Sequence, residues 1–265
     1  MVAFFNSLAG NMDTLLVLCL FGFIAGFVDA IAGGGGLIQL PAYFILMPQL
    51  TIAQLLGSNK LGGFSGTFVS TIQYLKEVSV QWRMIVPSLI AAGICSLAGA
   101  QCVSFLNKEK LAPFIIVLLI IMLVQTSFNR KLGMEDKSKT INPKKQQVIL
   151  FISSCIIGLY DGFFGPGAGS LLMFVFIGLL HFDFLSAAAH TKVFNCVTNI
   201  GALLFFIVHG DVQYAIALPV AACNVTGNYL GSKLAIKKGS TLIRTIYIFV
   251  VIGLIAKLSY DYLFR

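Results

Sequence analysis

The stretch G-F-V-D-A-I-A-G-G-G-G-L-I-Q-L-P at residues 26–41 decides the reading of this chain, because a second stretch, G-L-Y-D-G-F-F-G-P-G-A-G-S at 158–170, echoes it. Shifting the sequence by 132 residues without gaps lays Gly26 on Gly158, Asp29 on Asp161, Gly33 on Gly165 and Gly35 on Gly167. The same shift lays Leu40, Phe44, Lys60, Gln81, Pro87 and Gly99 on Leu172, Phe176, Lys192, Gln213, Pro219 and Gly231. Coincidences of Leu or Phe are cheap in an apolar chain. An Asp, a Lys, a Pro and several Gly at one offset mark an internal repeat. In each copy an apolar run stops at a glycine break and a short apolar piece follows.

The surroundings of these stretches identify the solvent. Of 265 residues, 58% are hydrophobic and 11% charged, against about 25% charged in a soluble domain. An ordinary soluble enzyme is excluded, and so is a disordered or fibrous chain. Crossing a bilayer core takes roughly 20 helical residues. Runs near 14–32, 84–106, 112–129, 147–164, 214–235 and 244–262 meet that length, as do the polar-spotted stretches 51–75 and 184–208. The pieces 37–47 and 169–180 are shorter and follow the breaks. The opening MVAFFNSLAGNMD has no Lys or Arg, so the first run is expected to be retained rather than removed as a signal peptide. Cys19, Cys95, Cys102, Cys155, Cys196 and Cys223 lie in apolar stretches without a CxxC pair. They read as buried hydrophobes, with no metal expected.

The net charge of +8 is not scattered. Arg130, Lys131, Lys137, Lys139, Lys144 and Lys145 crowd 129–146, Lys76 and Arg83 flank a second loop, and Lys233, Lys237, Lys238 and Arg244 surround a third. The positive-inside tendency places these loops in the cytoplasm and both termini outside. The turns at 181–183 and 209–211, with His181 and His209, are expected outside. Orientation thus accounts for the charge, and no nucleic-acid partner is expected. Equivalent loops also exchange their bias. The basic loop at 76–83 corresponds to a lysine-free turn at 208–215, and the weakly basic 107–110 to the strongly basic 237–244. Two repeats in opposite orientations are expected, 1–128 and 147–265, joined by a basic cytoplasmic linker at 129–146. Inverted repeats are a secondary-transporter layout with a midplane site at the repeat interface.

Non-helical backbone at membrane depth is tolerated where it is buried in protein or lines a cavity. Gly33 to Gly36, and Gly165, Gly167 and Gly169 around Pro166, favour such backbone, and the helix that follows each would aim free N–H groups at the cavity. The competing reading is that these glycines only let helices pack closely. Inside the spans lie S-N-K at 58–60 and H-T-K-x-x-N-x-x-x-N at 190–199. Intramembrane lysines are costly unless paired or wet, so Lys60 and Lys192 are site candidates. The plainer reading pairs them with Asp29 and Asp161, directly or crosswise, and such a pair can still open to receive an anion. Asn195 and Asn199 share a helical face with Lys192, and Gly63, Thr67 and Ser70 offer room and hydroxyls on the equivalent segment. Asn224 and Asn228 are one turn apart, Gln39, Gln54 and Gln101 are weaker candidates, and His190 is the group that would titrate near neutral pH, or simply a hydrogen-bonding histidine.

Enzyme readings fare poorly. G-A-G-S at 167–170 with His190 is the nearest approach to an intramembrane serine protease and lacks a supporting spacing. No phosphate loop is present either. No enzyme activity and no cofactor are expected. A membrane scaffold without transport would not need paired intramembrane lysines, whereas a passive anion channel shares the layout.

The two glycine blocks, S-N-K and H-T-K resemble the TauE/SafE family, also called the 4-toluene sulfonate uptake permease or TSUP family, from about residue 14 to 262. K-L-G-G at 60–63, K-V-F-N at 192–195 and L-I-R at 242–244 look closest to uncharacterised bacterial inner-membrane members. The resemblance implies transport of small sulfur-containing or organic anions, such as sulfite and sulfonates, as export or uptake across the bacterial cytoplasmic membrane. It implies proton-coupled or facilitated exchange. The expected fold is therefore an all-α polytopic membrane protein of two inverted-topology repeats with Gly-broken half-helices, about 8–10 membrane segments in all. The anion is expected between Gly35, Gly36, Gly167, Gly169 and Ser170, held by Lys192, Lys60, Asn59, Thr191 and Asn195. Asp29, Asp161 and His190 serve charge pairing or proton coupling. The expected partners are that anion, the bilayer, coupling protons and, for a homodimer, a second copy of the chain.

Overall fold

The computed structural model describes residues 12–105 and 133–263, so the expected crossing at 112–129 lies outside the described residues. Among the described residues the regular structure is helical. In chain order the helices are α1 (Met12–Ala32), α2 (Gly36–Leu46), α3 (Ile52–Glu77), α4 (Trp82–Gln101), α5 (Pro143–Phe163), α6 (Ala168–Phe174), α7 (Phe184–Val208), α8 (Tyr214–Lys238) and α9 (Ser240–Leu263). A π turn, Val175–Leu179, prolongs α6. Four helices, α1, α4, α5 and α7, are long and apolar enough to cross a bilayer. Helices α3 and α8 are as long, at 26 and 25 residues, and carry polar side chains inward. Leu16, Ile90, Ile94, Ile156 and Phe249 are each at least 60% exposed, while Ser58, Lys60, Ser70, Thr191 and Lys192 are at most 3% exposed. Apolar outside and polar within is the signature of a protein solvated by lipid. This is an all-α polytopic membrane protein.

Local sequence sets the helix limits. Thr51 opens α3 with a capping box, its hydroxyl accepting from Gln54 N while the Gln54 side chain accepts from Thr51 N. Asp183 caps α7 through Leu185 N and Ser186 N. Asn142 caps α5, and Pro143 fits the first helical position, where an N–H is not needed. This cap draws Lys144 and Lys145 into the first turn of α5. Thr51→Ala should lower the unfolding free energy by about 1 kcal/mol, read as a small fall in the thermal midpoint of the detergent-solubilised protein.

Small residues hold the helices together. Gly22, Gly26 and Gly231 press on Val220, Asn224 and Phe27, which sets α1 parallel to α8. Gly158, Gly162 and Gly99 press on Ala92, Ser96 and Leu159, which sets α5 parallel to α4. Shifting both members by 132 residues turns the Gly26–Asn224 contact into Gly158–Ala92, and Gly99–Leu159 into Gly231–Phe27. Helix α3 runs with α8: Ser58 Oγ accepts from Gln213 N at 3.0 Å, and Ser232 Oγ donates to Gln73 Oε1 at 3.0 Å. It runs against α7, since Lys60 Nζ meets Asn199 Oδ1 at 3.3 Å and Thr71 Oγ1 donates to Lys192 O at 3.1 Å.

The described parts of the three basic segments therefore gather at one end. The turn at 181–183 joins them there, contrary to its expected external position: Lys137 N donates to His181 O at 2.9 Å, and Phe184 N to Gly133 O at 2.7 Å. The reason is that α6 begins at a break inside the protein and heads back toward the end from which α5 started. His209 and Asp211 lie at the opposite end, where Asp211 O touches Gly57.

Candidate functional site

The two glycine breaks meet in the interior. Gly33 (φ +73°) and Gly169 lie backbone against backbone, and Gly36 lies against Pro166. Beside the junction is a cavity of about 50 Å³, space for one small ion or a few waters. Asp29, Lys60 and Asp161 supply its charged lining. Gln39, Asn59, Asn195, Asn199 and Asn224 supply amides, Thr67 a hydroxyl, and Gly33, Gly35, Gly36, Gly63, Gly165, Gly167 and Gly169 supply room.

The ion pairs are crosswise. Lys60 Nζ stands 3.0 Å from Asp161 Oδ1, and Lys192 Nζ stands 2.7 Å from Asp29 Oδ2 while also donating to Asp29 O. Each lysine of one repeat copy thus holds the aspartate of the other. The two pairs are unequal. Lys192 spends its ammonium on two acceptors of Asp29 and does not line the cavity. Lys60 does line it, and Asp161 Oδ2 is buried without a hydrogen-bond partner.

Several expected site residues sit elsewhere. Thr191 is buried and does not line the cavity, its hydroxyl without a partner. Ser170 Oγ donates to Ala32 O at 3.0 Å, tying α6 to the end of α1. His190 is walled by Phe176 and Phe182, with ring centroids 5.1 and 4.8 Å away. Its Nδ1 faces Ser186 O at 2.7 Å and its Nε2 accepts from Gln81 N at 3.2 Å. That assigns the proton to Nδ1 and leaves neither nitrogen for the cavity. The expected free N–H groups at the start of α2 are largely spent. Gly35 N donates to Asp29 Oδ1 at 3.3 Å, Leu37 N to Gly34 O and Ile38 N to Gly35 O.

Side-chain amides also line the cavity. Gln39, a weaker candidate on sequence grounds, and Asn224, expected to line the cavity or bond between helices, join a chain in which Asn228 Nδ2 donates to Asn224 Oδ1 and Asn224 Nδ2 to Gln39 Oε1, both at 2.8 Å. Gln39 Nε2 remains a buried donor without a partner. The available clue was that Asn224 and Asn228 stand one turn apart on a long helix. Gln54, by contrast, serves the capping box, and Gln101 ends α4 exposed.

Comparison with known proteins agrees with this architecture. The family model described as "Sulfite exporter TauE/SafE" matches residues 18–258. A probable membrane transporter protein of Haemophilus influenzae is 34% identical over 256 residues, covering 95% of this chain and 96% of that protein. YfcA, a probable membrane transporter protein of Escherichia coli K12, is 34% identical over 258 residues, covering 97% and 94%. YdhB, a probable membrane transporter protein of Bacillus subtilis, is 25% identical over 228 residues, covering 84% and 89%. No solved structure gives a significant match. A helical bundle with a polar, lysine-bearing interior, matched by this family along nearly its whole length, belongs to the TauE/SafE family of membrane transporters.

Proposed function

We propose that the chain is a secondary carrier of small organic or sulfur-containing anions in the bacterial cytoplasmic membrane, not an enzyme, working by alternating access about the cavity between the glycine breaks. The observation carrying this reading is the unequal pair of ion pairs: Lys192 is fully committed to Asp29, whereas Lys60 faces the cavity with a partly satisfied partner, Asp161. An entering oxyanion takes the place of Asp161 at Lys60 and accepts from the amides of Asn59, Asn195, Asn199 and Gln39. The family model's name, a sulfite exporter, supports an oxyanion of sulfur as cargo.

Charge balance supports proton coupling. Asp29, Lys60, Asp161 and Lys192 sum to zero, so a bound anion would leave a net negative charge in a poorly solvated interior, which is costly. A proton on Asp161, whose Oδ2 is without a partner, restores neutrality and travels with the anion. Rocking is consistent with two inverted repeats, 1–128 and 147–265, whose glycine-lined contacts exchange under the repeat. Placing the basic end in the cytoplasm sets both termini outside.

Reconstituted vesicles test this reading. Lys60→Ala should cut sulfite or sulfonate flux at least about 30-fold, since truncating one member of a buried hydrogen-bonded charge pair costs 2 kcal/mol or more. Lys192→Ala should also abolish flux. Normal transport by both folded variants would refute the site. Saturation, counterflow and a response to a pH gradient are expected of the carrier, whereas flux following the membrane potential alone would identify a channel.

A further inference from the structure

A second cavity, about 620 Å³ in volume, opens at the basic end of the molecule. Four consecutive residues at the start of α4, Gln81 to Met84, form one wall, and Lys139, Ile141, Pro143, Gln146 and Gln147 form the other. Two cations, Arg83 and Lys139, line it and no carboxylate does. Among the described residues neither cation belongs to an ion pair. Gln81 gives α4 no side-chain cap, so the positive end of that helix adds to the same field. The stretch carrying Lys139 is tied down by hydrogen bonds: Gln146 Nε2 donates to Ser138 O at 2.5 Å, and Asp136 holds Ser138 N at 2.8 Å.

The rest of the lining is apolar or amphipathic. Trp82 is 47% exposed at the end of a membrane-crossing helix, where tryptophan marks the boundary between hydrocarbon and headgroups. Met84, Ile141 and Pro143 continue the apolar surface beside it. A soluble anion needs the cations but has no use for this apolar flank. A phospholipid uses both.

We propose that this cavity binds an anionic phospholipid from the cytoplasmic leaflet, its phosphate between Arg83 and Lys139 and its glycerol and upper acyl chain along Trp82 and Ile141. The proposal is independent of the transport site. The lipid bridges the α3–α4 connection to the linker before α5, and so ties together the two halves of the chain at one membrane surface.

Trp82 is the single tryptophan of the sequence, which makes it a reporter inside the site. The protein is reconstituted into vesicles of phosphatidylcholine with a minor fraction of phosphatidylglycerol, with bromine placed on the acyl chains of one lipid or the other. Brominated phosphatidylglycerol should quench Trp82 as if enriched at least about five-fold over its bulk fraction, one cation near an anionic surface accounting for that factor. In Arg83→Gln/Lys139→Gln the enrichment should vanish. Both residues are exposed, so this variant keeps its fold, checked by circular dichroism. Equal quenching by the two lipids, or enrichment that survives in the double variant, overturns the proposal. Enrichment abolished by millimolar inorganic phosphate would assign the site to a free anion and overturn it equally.

Discussion

Asp29→Ala is expected to be among the most damaging single substitutions in this protein, more so than Lys192→Ala. Lys192 has its side chain 1% exposed, and both acceptors of its ammonium belong to Asp29. Removing the carboxylate strands a buried cation, and breaking such a pair typically costs about 3–5 kcal/mol. Lys192→Ala strands Asp29 instead, which is 17% exposed and borders the cavity, where water and Gly35 N relieve part of the penalty. The double substitution Asp29→Ala/Lys192→Met should recover stability relative to Asp29→Ala, because no uncompensated charge remains. Thermal unfolding in detergent gives the order, and vesicle flux separates stability from transport. Equal midpoints for the two single variants would show that Asp29 is not the cation's essential partner.

Gly33→Ala is the second large effect. At φ +73° a side chain already costs about 1–2 kcal/mol, and the added Cβ would lie 2.6 Å from the Gly169 carbonyl carbon. Backbone opposes backbone there, so no rotamer relieves the contact, and overpacking adds about 1–3 kcal/mol. Gly210 supplies an internal control, since its φ is +74° and nothing lies within 4 Å of a Cβ built on it. Gly210→Ala should show the conformational cost alone. The difference between the two midpoints measures how closely the breaks must approach. A Gly33→Ala protein no less stable than Gly210→Ala would mean that the breaks separate without penalty.

The architecture was largely legible from constant-offset residues, and the reason is physical. Glycines that allow close helix approach and intramembrane lysines that need partners are both intolerant of substitution, so they leave a pattern that Leu and Phe do not. Spacing alone left the pairing open, because Asp29 with Lys60 and Asp29 with Lys192 are equally compatible with it. Only the antiparallel crossing of α3 and α7 selects the crosswise partners. The same crossing buries Thr191 and turns Lys192 away from the cavity that Lys60 faces. His190 stands two positions before Lys192 and therefore points to another side of the helix, among Phe176 and Phe182. Adjacency on a helix does not decide the matter by itself, since Asn59 beside Lys60 lines the cavity while His190 and Thr191 beside Lys192 do not. The amide chain through Gln39, Asn224 and Asn228 was hard to see because it joins residues from different halves.

The crosswise packing also bears on how the protein comes into being. Helix α1 rests on α8 and α4 on α5, so the first half emerges from the ribosome without the partners that its glycine faces require. The glycine face of α4 can be covered once α5 is made, whereas that of α1 waits for α8, which ends at Lys238. The packing of α1 is thus deferred to a late stage of synthesis. A gene cut within the linker would yield two fragments with open glycine faces, each having its natural complement in the other.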